Sequence, residues 1–340
     1  MRHFSTSSTS SSTRTRSDSR RTIDSWALAL GLLLGVPLTA PAQDAWPTRS
    51  VRIIAPFGAG GGGDTSLRML SQYLARALNQ SIVVDNKPGA SGIIGVQEAL
   101  KAPADGYTLF YGSTTTLAAN SSTLKKIPYD PVADFRSISL VSWIPYMLVV
   151  APDTKATSVA QLIALAKSAP RPLSFASSND TGLVAGQSFA RAAGVQLLNV
   201  PYKATPGALT DLIGGQVTLM FVDVASGLPQ VKGGKLRALA MTSTARSSLL
   251  PEAPIVAETL PGYEIIGWTA MATAAGTPAA VIRRVHAEIE KILGQAEVKT
   301  AFEVAGFEPK TATPEATDAF VRAERDKWAQ RVKAAGIVPQ

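Results

Sequence analysis

The sequence predicts an α/β fold in two domains. Apolar strand-like runs alternate with amphipathic helical stretches along most of the chain. Two glycine-rich stretches each follow such a run. Val51–Phe57 leads into Gly58-Ala59-Gly60-Gly61-Gly62-Gly63-Asp64, and Ser81–Asp85 leads into Asn86-Lys87-Pro88-Gly89-Ala90-Ser91-Gly92. The length, 340 residues including an expected export signal, fits two modest domains better than one.

The amino-terminal segment reads as targeting sequence. Residues 1–25 are rich in Ser and Thr and hold Arg2, Arg14, Arg16, Arg20 and Arg21. The apolar run Trp26–Leu38 follows, then Ala40-Pro41-Ala42, a small-x-small cleavage site. That run is too short to span a bilayer comfortably. Ser19-Arg20-Arg21-Thr22-Ile23 has a twin-arginine flavour, so the export route stays open between the general and twin-arginine systems.

Composition narrows the function classes. The chain has no cysteine, which excludes disulfides, thiolate metal sites and a lipidated amino-terminal cysteine. The net charge is +8, and removing the five Arg and two Asp of residues 1–42 lowers it to +5. Mild basicity suits an anionic ligand, but it is also ordinary solubility charge. No dense Lys/Arg stripe interleaved with aromatics points to nucleic acid.

The elements follow in order. Val51–Phe57 is the first strand, and Leu67, Leu70, Leu74 and Leu78 place one face of a helix after it, with Asp64 or Thr65 as its N-cap. Strand Ile82–Val84, a helix around Ile93–Leu100, strand Tyr107–Tyr111 and a polar loop Gly112–Thr116 come next. A second series starts with strand Met147–Val150 and helix Val159–Lys167, capped by Thr157 or Ser158. Strand Leu173–Ala176 leads into a polar turn Ser177–Gly182 and a helix reaching Ala193. Strands Val217–Val222, Leu236–Met241 and Tyr263–Ala272 follow. Thr277-Pro278 opens a helix with stripe Val281, Ile282, Val285, Ile289 and Ile292. Thr313-Pro314 opens the last helix, carrying Phe320, Val321, Trp328 and Val332.

The glycine loops carry the chemistry. Glycine leaves backbone N–H groups uncovered, and such loops cradle anions; the plainer reading is a pair of tight turns. Gly58, Gly60 and Gly63 also match G-x-G-x-x-G, with Asp85 about twenty residues on, the dinucleotide-binding pattern. That makes an exported dinucleotide-binding α/β oxidoreductase the alternative. Against it, nicotinamide cofactors are scarce outside the cytoplasm, Asp85 opens a second glycine loop, and no hydride-transfer acid or base is evident. Hydrolase readings fare worse. Of two histidines, His3 lies in the export segment and His286 flanks an amphipathic helix, so neither a triad nor a His-based zinc site assembles. Gly89-Ala90-Ser91-Gly92-Ile93 approaches a nucleophile elbow but lacks its last glycine.

Several stretches resemble the Bug receptors, the solute-binding proteins of tripartite tricarboxylate transporters. They are Pro56–Asp64, Asn86–Gly95, Asp105–Leu109, Pro128–Phe135, Val200–Lys203, Gly215–Val217, Gly234–Ala240 and Gly276–Pro278. The resemblance runs from Trp46 to about Ile337, and the order and spacing of the motifs make it specific. It implies a two-domain Venus-flytrap fold of the periplasmic binding protein type II kind, with crossings near Trp143–Leu148 and Tyr263–Thr269. Residues 43–146 with 264–340 would form domain 1 and residues 147–263 domain 2.

The resemblance also implies a function and a site. The function is capture of a small carboxylate for a two-component membrane permease, by a soluble periplasmic monomer with no catalytic residue, metal or cofactor. Relatives take amino acids, dicarboxylates, citrate and aromatic acids. Two pincer loops would hold the ligand carboxylate, largely through backbone groups and ordered waters. The first comprises Phe57, Gly58, Ala59, Gly60, Gly61 and Asp64, the second Gly89, Ala90 and Ser91; Ser113 and Thr114 join them. Ser177, Ser178 and Asp223 would face the distal part of the ligand. The Ser177–Leu183 stretch departs from the family's glycine- and histidine-bearing pattern, so no ligand transfers directly from a relative. Asp223 reads equally as a helix cap or turn residue. Cleavage is expected after Ala42, leaving Gln43 at the amino terminus; intact-mass measurement of exported protein checks it, and retention of residues 1–42 would refute it.

Overall fold

A computed structural model of the chain describes residues 46–340, so the export segment expected over residues 1–42 lies outside the described residues. The strands are β1 (Val51–Ala55), β2 (Ile82–Asn86), β3 (Thr108–Ser113), β4 (Phe135–Val150), β5 (Leu173–Ser177), β6 (Leu197–Pro201), β7 (Leu219–Asp223), β8 (Arg237–Met241), β9 (Ile266–Ala274) and β10 (Glu308–Pro309). The α-helices are α1 (Gly62–Leu78), α2 (Ile93–Lys101), α3 (Asn120–Thr123), α4 (Val159–Ser168), α5 (Asp180–Ala193), α6 (Thr205–Ile213), α7 (Val224–Lys232), α8 (Ala279–Gly294), α9 (Ala296–Val304) and α10 (Pro314–Ala334).

The strands run in the order β2-β1-β3-β9-β4-β7-β5-β6, with β8 and β10 also paired to β4. Two half-sheets share β4. In the first, β2, β1 and β3 are parallel, and β9 lies antiparallel between β3 and β4. In the second, β6, β5 and β7 are parallel, and the end of β4 lies antiparallel between β7 and β8. Parallel neighbours need crossover connections, which α1, α2, α5 and α6 supply. The carboxyl ends of the parallel strands of both halves therefore carry loops into helices, where open α/β sheets bind ligands.

β4 is 16 residues long, and only its end reads as a strand in the sequence. Register shifts at Ser137/Ser139 and Leu140/Ser142 break the period-two pattern over its first part. Pro145, which has no N–H to give a ladder, sits where pairing passes from β9 to β7 and β8.

Other expectations shift at their edges. α1 starts at Gly62 with Gly61 as N-cap, so Asp64 falls in its first turn and Thr65 inside it. The stretch after Ser113 is helical over Thr115–Ala119 instead of a loop. The turn after Ser177 is shorter than expected, because Asn179 accepts the Gly182 N–H and starts α5 at Asp180. Ser158 caps α4. The last long strand covers Ile266–Ala274.

The apolar stripes are where the periodicity puts them. Leu67, Leu70, Leu74 and Leu78 of α1 and Val281, Val285, Ile289 and Ile292 of α8 are buried in one cluster with β1 and Tyr111. α10 buries Val321, Trp328 and Val332, and Phe320 stands edge-on to Trp143 and Trp268. Glu324 of α10, also buried, accepts the indole N–H of Trp268 (2.8 Å) and of Trp328 (3.0 Å) on one carboxylate oxygen. This pins the last helix to β9 beside the shared strand. Glu324→Leu leaves two buried indole donors without partners and should destabilise the fold by about 2–4 kcal/mol. Glu324→Gln, which keeps an acceptor, should cost less than half as much; denaturant titration of both variants decides, and equal losses would remove the hydrogen bonds from the explanation.

Candidate ligand-binding cleft

A cleft of about 870 Å³ opens between the two half-sheets, at the carboxyl ends of β1, β3, β5 and β7. Its size suits a small molecule. The wall from the first half-sheet is built mainly from backbone, and that from the second carries the acidic side chains.

The first loop joins β1 to α1 and places Phe57, Gly58, Gly61, Gly62 and Gly63 on the cleft. Its N-cap, Gly61, has no side chain to cap α1, so the first amides of the helix face outward; the Gly62 amide meets the Asp223 carboxylate of the opposite wall. Beneath the loop, Asp64 is buried and accepts the Gly60 N–H (3.0 Å), Asn86 Nδ2 (2.9 Å) and Arg68 Nε (2.9 Å). Burial pushes its carboxyl up, but these hydrogen bonds outweigh burial and hold it below the usual aspartate range. Asn86 also donates to the Phe57 carbonyl, tying the first loop to the end of β2.

The second loop carries four successive positive φ angles, at Gly89 (120°), Ala90 (47°), Ser91 (51°) and Gly92 (83°). Two of these are not glycine, and a non-glycine residue held in such a region costs roughly 1–3 kcal/mol. The turn is held by Gly92 N–H to the Gly89 carbonyl (2.9 Å) and by Asn120 Nδ2 to the Ser91 carbonyl (3.0 Å). Successive amides in such a turn form an anion-binding concavity. α2 follows without a side-chain cap, its first amide, that of Ile93, donating to the Ala90 carbonyl. At the end of β3, Thr114 Oγ1 accepts the Trp268 N–H (2.8 Å), fixing the segment to β9. A chain of hydroxyls lies below: Ser66 to Tyr111 (3.0 Å), Tyr111 to Thr269 (2.9 Å) and Thr269 to Ser142 (3.0 Å). Burial pushes the Tyr111 phenol up to about 12, so this floor is neutral.

The opposite wall is more acidic. Ser177 donates to Asn199 Oδ1 (2.7 Å), and Ser178 meets Thr205 (3.0 Å between hydroxyls). Asp180 opens α5 and is buried; its N–H donates to Thr115 Oγ1 (3.3 Å), and its carboxylate accepts from Thr123 Oγ1 (2.5 Å). Both partners come from the first wall. Asp223 ends β7 and does two things: its Oδ1 caps α7 by accepting the Ser226 N–H (2.8 Å), and its side chain lines the cleft. Burial pushes its carboxyl up, with the Ser226 and Gly62 amides among the groups that pull it back. A Cβ built on Gly62 would stand 2.3 Å from Asp223 Oδ1, and one on Gly58 would stand 2.7 Å from the Ala204 Cβ. The first loop and the second wall thus approach too closely for side chains between them.

Most of the residues expected from the sequence come together here. Phe57, Gly58, Gly61, Gly89, Ala90, Ser91, Ser113, Thr114, Ser177, Ser178 and Asp223 all line the cleft. Ala59 and Gly60 are exposed and outside the lining, with Gly60 beside Pro206, and Asp64 lies underneath as scaffold. Asp180, Thr115, Thr123 and Tyr146 line the cleft without having been expected. Asn179, a favoured N-cap residue type, was the available signal for Asp180, since it accepts the Gly182 N–H and starts the helix that brings this acid to the cleft. His286 and Asp85 are not among the lining residues. Asp85 is instead bound by Arg52 (Nε, 2.9 Å) and Lys87 (3.5 Å).

Comparison with known proteins places this geometry among solute receptors. Residues 66–337 match the family described as tripartite tricarboxylate transporter family receptor. BugT of Bordetella pertussis (strain Tohama I) is 34% identical over 305 residues, which cover 88% of this chain and 93% of BugT. The structure of R. palustris Rpa4515 with adipate superposes with a TM-score of 0.85 at 33% identity, over 87% of this chain and 100% of that one. The periplasmic binding protein BugD gives a TM-score of 0.82 at 31% identity, over 87% and 100% of the two chains.

Asp180 makes the cleft sensitive to pH. Burial pushes its carboxyl up to about 6 from an ordinary value of 3.8, with the Thr123 hydroxyl pulling the other way. The folded protein holds this proton more tightly than the unfolded chain, so ionisation costs stability. The cost is absent below about pH 4, grows as pH rises, and is complete above about 6, where it is on the order of 3 kcal/mol. Besides the hydroxyls of Thr123 and Thr115, the titratable group near it is Tyr129, whose phenol is pushed up mainly by burial and also by the Asp180 charge. Asp180→Asn should therefore stabilise the ligand-free protein at pH 7.5 but not at pH 4. Thermal melts at both values check this, and an equal change at both would mean that Asp180 titrates normally.

Proposed function

The chain belongs to the tripartite tricarboxylate transporter receptor family, and from that premise we propose that its cleft captures a small carboxylate and hands it to a two-component membrane permease. The observation that carries the reading is the first wall. Two helices without side-chain caps, α1 and α2, start at glycine loops on the cleft, and the second loop is held in a strained amide-presenting turn. Backbone donors of this kind bind a carboxylate without an arginine. Rpa4515, with adipate bound, supports a carboxylate as the ligand class.

The finer reading goes with it. The half-sheets correspond to a domain of residues 43–146 with 264–340 and a domain of residues 147–263, hinged where β4 and the approach to β9 pass between them. The receptor works in the periplasm as a monomer and catalyses no reaction. Among the described residues no helix is long and apolar enough to cross a membrane. The oxidoreductase reading loses its main support, because Asp85, the acid a dinucleotide ribose would need, is engaged by Arg52 and Lys87 away from the cleft.

The test uses the close approach of the two walls. Gly62→Ala puts a Cβ where the Asp223 carboxylate now lies, so the two walls must move apart; the displaced carboxylate costs stability, which the better helix propensity of alanine offsets only in part. Isothermal titration of the wild type against a carboxylate panel should find at least one ligand, and Gly62→Ala should weaken it tenfold or more in protein that still melts cooperatively. Turnover of a nicotinamide cofactor, or no binding to any carboxylate, would overturn the proposal.

A further inference from the structure

The two walls of the cleft are opposite in polarity. The first presents backbone amides and hydroxyls and no acidic side chain, since Asp64 lies below it with its own donors. The second holds Asp180 and Asp223, only 5% and 4% exposed. Neither is in a salt bridge with any described residue: Asp180 receives the Thr123 hydroxyl on Oδ2 and nothing on Oδ1, and Asp223 receives the Ser226 amide on Oδ1, with the Ser226 side chain and the Gly62 amide also favouring its charged form. The one basic residue lining the cleft, Lys203, is exposed and in no salt bridge among the described residues.

Buried carboxylates are ordinarily paired with a cation, because desolvating the charge alone is costly. Here two line the same cleft, and hydrogen bonds from amides and hydroxyls stand in place of a cationic side chain. Resting on the carboxylate-capture reading above, we propose that the captured solute is zwitterionic: one carboxylate held by the glycine loops and an ammonium group held by Asp180 and Asp223. A second carboxylate on the ligand would meet the same two acids and be repelled, so dicarboxylates of equal length are disfavoured. Hydroxyl-bearing acids fall between, since a hydroxyl donates a hydrogen bond but brings no charge. The raised affinity of both acids for protons is what uncompensated burial produces, and agrees with this placement.

The experiment is calorimetric titration of the wild-type protein with matched pairs: 4-aminobutyrate against succinate, 5-aminopentanoate against glutarate and 6-aminohexanoate against adipate. Neutral α-amino acids are run beside the corresponding fatty acids. At the length that fits, the zwitterion should bind at least tenfold tighter than its partner. Asp180→Asn and Asp223→Asn each keep a side-chain acceptor at the same place, and each should reduce that preference to threefold or less in protein that still melts cooperatively, with Asp180→Asn melting higher than wild type at pH 7.5 as expected from its buried charge. A diacid bound as tightly as or more tightly than every zwitterion would overturn the inference and leave carboxylate capture standing. A zwitterion preference unchanged in both variants would remove Asp180 and Asp223 as its cause. No binding by any carboxylate would instead overturn the receptor reading itself.

Discussion

The absence of a side chain at Gly62 is the constraint on which the site depends. The Asp223 carboxylate lies against the Cα of this residue, in a space a Cβ would fill. That single approach brings the start of α1 and the end of β7 together across the cleft, and the other glycines of the run repeat the theme. Gly58 faces Ala204, and Gly63 lies under the Phe57 ring. The glycine run therefore answers two requirements at once, bare amides for an anion and room for the opposite wall. Asp64 makes this tolerable by spending its carboxylate on the loop itself, through Gly60, Asn86 and Arg68, so that a chain segment with little side-chain packing still has one conformation.

Much of the fold was legible in the sequence because its signals are local. The leucine stripe of α1, the stripe of α8, the Ser158 cap and the Pro-initiated last helix all rest on spacing within a few residues. The long shared strand was not legible, because bulges at Ser137–Ser139 and Leu140–Ser142 destroy its alternation and only tertiary pairing holds it. The same division runs through the site. Glycine loops announce themselves, and eleven of the fourteen expected residues line the cleft. Asp180 did not, because its neighbourhood reads as a polar turn until Asn179 is known to cap a helix there. Gly60 and Asp64 show the opposite error: a motif locates a loop, but not which of its residues face inward.

The arrangement separates two tasks that a receptor must combine. On the proposed reading, backbone groups of the first wall would respond to a carboxylate whatever carries it, which suits a family with carboxylate-bound members. Ser177 and Ser178 of the second wall bond within that wall and could be exchanged without breaking a hydrogen bond to the glycine loops. Asp223 sits between these roles, since it both caps α7 and faces the ligand space, so its replacement is constrained in a way that Ser177 or Ser178 is not. Asp180 is bound to Thr123 across the cleft, so in the ligand-free protein its charge is held by one hydroxyl and by the contact between the walls.

The cysteine-free composition, which first served to exclude staples and thiolate metals, gives the chain a practical property. Val338 lies in the segment after α10 that lines the cleft, and it is 77% exposed. A cysteine placed there would be the sole thiol in the sequence, open to reagent and next to the solute. An environment-sensitive fluorophore coupled at that point would turn occupancy of the cleft into light emission without background from other thiols. The receptor scaffold is in this sense already prepared as an optical sensor for its own solute.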